Sequence, residues 1–266
     1  MATNHTTSIA IRHGSNSQGF FSYDPPDVLV VFVHGFGGNA LGTWTNFPSL
    51  VLLEEKFKHA DVIFYGYETL KGQAGDHAAM LYDFLDLCQS PLKNNILPRE
   101  QNLPERTYKR ILLVAHSLGA VLVRQAQLLA FTAKKKWVDK TEMALFAPAH
   151  NGANIVPLAM AALPGLYSLI GVIAKFRFPI LIDLDADNSN TIWNAVKTET
   201  QKLQDKGKGN FTKAKLVVSA MGDKVIRSYQ YLGDEPAKVV TNTSHMKVCK
   251  PLDAAHESIT LLKSIL

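Results

Sequence analysis

The run Ile111-Leu112-Leu113-Val114-Ala115-His116-Ser117-Leu118-Gly119-Ala120 constrains the fold more than any other stretch of this chain. A continuous apolar segment, as expected of a strand buried on both faces, stops at a small-His-Ser-Leu-Gly turn, and a helical pattern starts at once. A serine on so sharp a strand-to-helix turn projects its hydroxyl above the edge of a sheet. The residues two before and two after it must be small, because the incoming strand and the outgoing helix nearly collide there. Ala115 and Gly119 meet that demand. A buried strand followed by a serine serving only as a helix N-cap would look similar, so the rest of the chain has to decide.

Upstream, Val28 to Val33 is a second wholly apolar run, and it ends in His34-Gly35-Phe36-Gly37-Gly38. Such a loop lets the backbone N–H of Phe36 swing toward the serine, where it would pair with the N–H of Leu118 to hold a developing oxyanion. Losing one such donor costs roughly 3 kcal/mol of transition-state stabilisation. A glycine-rich turn of a nucleotide-binding fold is the bland alternative, but neither G-x-G-x-x-G nor G-x-x-x-x-G-K-[ST] occurs in the chain.

An acid and a base should follow the serine in chain order. The apolar run 215–220 leads into Met221-Gly222-Asp223, which places Asp223 just past a strand end; a plain turn aspartate beside Gly222 is the competing reading. Asp183, Asp185 and Asp187 form a rival cluster with no clear strand before them. The short run 237–241 precedes Asn242-Thr243-Ser244-His245, so His245 falls on the loop after the last strand. His245 would take the Ser117 proton and Asp223 would orient the imidazole. His256 is expected exposed on a helix, and His150 on a solvated loop at the mouth of the site. His34, Gly35, Gly37 and His116 are expected to pack around and shape the substrate pocket.

The segments HGFGGNALGTW (34–44), LLVAHSLGAVLVR (112–124), GDKVI (222–226) and SHMKVCKP (244–251) together resemble the serine-esterase branch of the α/β-hydrolases, which includes GPI inositol-deacylase-like and lipase-like enzymes. The resemblance covers about residues 25 to 260. It implies a triad of Ser117, Asp223 and His245 and hydrolysis of carboxylic, often lipid-like, esters. Ala115 departs from it at the first elbow glycine.

Alternating strand and helix patterns along the chain predict an α/β class, with a mostly parallel sheet covered on both faces. Strands are expected at 28–33, 60–65, 110–115, 142–147, 215–220 and 237–241, with an antiparallel edge from residues 8–12 and 19–23. Helices are expected at 46–57, 76–89, 118–133 and 252–265. All three candidate catalytic residues then fall at carboxyl ends of strands, where such sheets bind ligands. More than sixty residues separate the strand ending at Ala147 from the one starting at Lys215, too many for a simple crossover. Residues 1–152 and 210–266 are therefore expected to form the core, and residues 153–209 a helical cap. Ile155 to Ala174 carries no charge and is long enough to span a bilayer, but Pro157, Pro164 and Gly165 interrupt it. It is read as short helices presenting Met160, Leu163 and Tyr167 to the substrate, with a peripheral bilayer contact as a further expectation.

The chain has 266 residues, a net charge of +5 and two cysteines far apart. No metal-ligand spacing, cofactor motif or nucleic-acid module is present, so neither a cofactor nor a metal is expected. The first nineteen residues lack an apolar signal core, and a cytoplasmic location is expected. The sequence leaves open acyl transfer, thioester or amide cleavage with the same residues, and a catalytically silent binding module.

Overall fold

The computed structural model describes residues 4–97, 103–162, 178–226 and 230–266. Eight strands form one sheet in the order β1-β2-β4-β3-β5-β6-β7-β8. They are β1 (Ile9–Ala10), β2 (Gln18–Phe20), β3 (Val28–Val33), β4 (Ala60–Tyr65), β5 (Arg110–His116), β6 (Thr141–Phe146), β7 (Leu216–Ala220) and β8 (Lys238–Val240). From β4 to β8 every pairing is parallel; β1 and β2 add an antiparallel edge, shorter than the sequence suggests.

The apolar runs become central strands because both faces are covered. Along β3, Leu29, Val31 and Val33 face one core layer and Val30 and Phe32 the other. Along β5, Ile111, Leu113 and Ala115 join the first layer, Leu112 and Val114 the second. That alternation is the two-residue period of a strand expressed in a strand with no polar face. Helices α2 (Ala74–Leu87) and α3 (Leu118–Thr132) cover the first layer, while α1 (Phe47–Leu53) and the C-terminal helix, Glu257–Ser264, cover the second.

Between β6 and β7 lie α4 (Ile155–Ala162), the single turn α5 (Pro179–Ile182) and α6 (Ile192–Asp205). Helix α6 packs on α3, and its Val196 and Leu203 enter the core. Residues 192–205 fall within the expected insert of 153–209, and their apolar stripe is buried on the helix that follows Ser117. Leu163 and Tyr167 lie outside the described residues. Among the described residues no helix is long and apolar enough to cross a membrane. Cys88 and Cys249 are buried free thiols.

Candidate active site

Register brings the site residues level. Val33 pairs with Ala115, and His116 with Phe146, so β3, β5 and β6 end together. Ser117 follows β5 directly, with φ 51° and ψ −117°. That backbone costs a residue with a Cβ on the order of 1–3 kcal/mol and persists only where neighbours enforce it. Here its N–H donates to Phe146 O at 3.0 Å, and its carbonyl accepts from Ala120 and Ala149 N–H, both at 3.1 Å. Gly119 is required by space. A Cβ there would sit 2.5 Å from Val33 O and 2.6 Å from His34 O, so α3 can leave the strand at this angle only without a side chain at that position.

His245 Nε2 lies 3.0 Å from Ser117 Oγ, and His245 Nδ1 lies 2.9 Å from Asp223 Oδ2. Asp223 Oδ1 accepts from Val225 N–H at 2.8 Å and from Ile226 N–H at 3.3 Å. The carboxylate needs a proton from the ring, so Nδ1 donates to it and Nε2 is left to accept from the serine hydroxyl. The Asp223 side chain is fully buried, and that of His245 is 4 % exposed. The structure thus brings together three side chains that are 106 and 22 residues apart in the chain.

The rival carboxylates are placed elsewhere. Asp183 Oδ2 accepts from Ala74 N–H at 3.0 Å, at the start of α2, where a negative charge opposes the helix dipole. Asp185 Oδ1 accepts from Asp187 N–H at 3.2 Å within its own turn. Two histidine expectations are corrected. His150 is buried rather than solvated, its ring 4.5 Å from that of Tyr231. His256 is not freely exposed on a helix but caps one, its Nδ1 accepting from Ser258 N–H.

Gly35 passes directly over the serine: a Cβ on it would come within 2.8 Å of Ser117 Cβ. Gly37, at φ 70°, touches α4, since a Cβ there would lie 2.6 Å from Ala162 Cβ. The N–H groups of Phe36 and Leu118 donate to no other described backbone group, as expected of Leu118 at the first position of a helix. The Phe36 side chain is buried, 6.0 Å from the Phe178 ring. Val156 and Met160 on α4 are each 43 % exposed.

His34 and His116, expected to shape the pocket, are both enclosed beside the serine. His34 is fully buried, with Nε2 accepting from Tyr67 N–H at 3.2 Å and Nδ1 bonded to Gly35 O at 3.0 Å. His116 is 1 % exposed and its Nε2–H donates to the carbonyl of His245 at 2.8 Å. Burial pushes the pKa of His34 down to about 4 and, with the neighbouring His245, that of His116 down to about 3. Both stay neutral near pH 7. In the unfolded chain they bind protons near pH 6.5, so their contribution to stability is present above that pH and is lost as pH falls toward 4. Equilibrium urea midpoints should therefore rise from pH 4.5 to pH 7, with a shallower slope in His116→Asn.

Tyr67 and Thr69 were not singled out from the sequence. Both follow β4, next to the loop after β3, and Thr69 Oγ1 accepts from Gly37 N–H at 3.0 Å. Their place at the carboxyl end of the neighbouring strand is the signal that could have found them.

Ser117 follows β5, Asp223 follows β7 and His245 follows β8, so all three lie at the carboxyl edge of a mostly parallel sheet whose fold solved structures share. The chain has the α/β-hydrolase fold. Residues 24–149 match the family described as "Putative serine esterase (DUF676)". The chain superposes on the mature lipase BlEst2 of Bacillus licheniformis with TM-score 0.52 and 15% identity, covering 96% of this chain and 93% of that one. Against carboxyl esterase 2 of the fungus Tuber melanosporum the TM-score is 0.60 at 13% identity, with 99% and 84% covered. Against phospholipase PlaB of Legionella pneumophila it is 0.53 at 14% identity, with 88% and 57% covered. No curated protein sequence matches the chain.

Proposed function

We propose that this protein is a hydrolase that cleaves carboxylic esters through an acyl-enzyme on Ser117. The observation that carries the reading is the unbroken pair of hydrogen bonds from Ser117 Oγ through His245 to Asp223. Ser117 Oγ attacks the ester carbonyl carbon as its proton passes to His245 Nε2, and Asp223 stabilises the imidazolium. The Phe36 and Leu118 N–H groups hold the oxyanion. Collapse breaks the bond to the leaving oxygen, which takes the proton from His245 and departs as the alcohol. Water then attacks the acyl-Ser117 carbonyl as its proton passes to His245 Nε2, and collapse breaks the bond to Ser117 Oγ, which takes that proton back as the carboxylic acid is released. The partly exposed Val156 and Met160 on α4, beside Gly37, favour an apolar acyl or alcohol group, and a lipid-like ester is the substrate class proposed. An aggregate or bilayer surface bearing that ester is the corresponding partner.

A fluorophosphonate probe is expected to label the protein once, on Ser117. Ser117→Ala should lose both labelling and turnover of p-nitrophenyl butyrate, with unchanged folding by circular dichroism. Turnover persisting in that variant would falsify the assignment, and free acid exceeding transferred acyl in the presence of added alcohols separates hydrolysis from acyl transfer.

A further inference from the structure

The peptide joining Gly35 to Phe36 has a glycine on one side, which makes its rotation inexpensive. Its N–H is a donor proposed for the oxyanion, so its orientation decides whether that donor exists. The carbonyl of this peptide is gripped twice. A backbone N–H can only donate, so His34 Nε2, 3.2 Å from Tyr67 N, is the bare ring nitrogen and the proton sits on Nδ1. Nδ1–H therefore donates to Gly35 O at 3.0 Å, and Gly38 N–H donates to the same oxygen at 3.1 Å. Tyr67 holds the imidazole in turn: its ring stacks on that of His34 at 4.3 Å and 10°, and its hydroxyl donates to His34 O at 2.8 Å. Both side chains are buried.

In a trans peptide the C=O and N–H lie in one plane and point to opposite sides, and the described chain has no cis bond. Two donors on Gly35 O thus turn the Phe36 N–H the other way. We propose that His34 is a positioning residue which, with Tyr67, latches the Gly35–Phe36 peptide so that the Phe36 N–H faces the oxyanion formed by Ser117 attack. The inference rests on the esterase reading above. Because the ring is neutral and sealed from water, the latch holds unchanged across the neutral pH range.

Two near-isosteric variants separate this role from simple packing. The amide nitrogen of His34→Asn can take the place of Nδ1, whereas the amide of His34→Gln takes the place of Nε2 and cannot reach Gly35 O. Each is assayed for p-nitrophenyl butyrate turnover and for inhibition by a trifluoromethyl ketone, whose adduct with Ser117 carries an oxyanion. His34→Gln is expected to lose at least tenfold in kcat and a matching factor in inhibitor affinity, with KM within about threefold, in line with weakening one oxyanion donor. His34→Asn should recover to within about threefold of wild type. Equal losses in the two variants, or a fall in kcat with undiminished inhibitor affinity, would overturn the proposal. Should His34→Gln not fold, Tyr67→Phe gives the second reading: matched losses of threefold or more support the latch, and none rejects it. Failure of the esterase reading itself looks different, because the wild type would then neither react with fluorophosphonate nor turn over ester.

Discussion

Asp223→Asn should lower kcat by about 10⁴ with little change in KM, as expected for loss of the group that sets the histidine tautomer. The reason lies in how the carboxylate is held. Oδ1 accepts from the N–H groups of Val225 and Ile226, so an asparagine keeps its oxygen there and turns its NH₂ toward His245 Nδ1. Nδ1 must then accept, the ring proton moves to Nε2, and Nε2 can no longer take the proton of Ser117, 3.0 Å away. Stopped-flow or steady-state turnover of p-nitrophenyl butyrate, with urea denaturation to show intact folding, checks this. A near-normal kcat would remove Asp223 from the proton relay. Asp183 is a poor successor, since its Oδ2 is already committed to the first N–H of α2.

Arg124→Met is expected to cost about 3–5 kcal/mol of stability. Arg124 is fully buried in α3, paired with an Asp234 side chain that is 2 % exposed. Its guanidinium also donates to Thr212 O and lies 4.0 Å over the Tyr231 ring. Removing it leaves Asp234 in an apolar setting with only Ala214 N–H, at 2.9 Å, as a remaining partner. The urea midpoint reads the loss, and the double variant Arg124→Met/Asp234→Leu should recover part of it because no lone charge stays buried. A single variant within 1 kcal/mol of wild type would show that the pair contributes little.

Much of the site was legible in the chain because its chemistry is bound to local rules. A strained serine turn needs small residues on both sides, and a strand buried on both faces needs an unbroken apolar run. Those rules placed Ser117, and the boundaries of β3 and β4 agree with the expected ones to the residue. Asp223 and His245 were legible through order, since each follows a recognisable strand. Less was readable where burial decides. Neutral buried histidines and solvated ones look alike in sequence, so the enclosure of His34, His116 and His150 is visible only in the fold. Arg124 stood out only as part of a family pattern, while its partner lies 110 residues away.

The sequence by itself determined the strand and helix periodicities, the parallel class of the sheet and the identity of the nucleophile candidate, because each depends on spacing between neighbours along the chain. Only the tertiary structure decided that α6 packs on α3, that Asp183 caps a helix instead of facing His245, and that Tyr67 and His34 together hold the peptide beside Ser117. Those outcomes depend on which atoms the sheet order brings within about 3 Å of one another, and hydrogen bonds at that range carry no periodic trace in the chain.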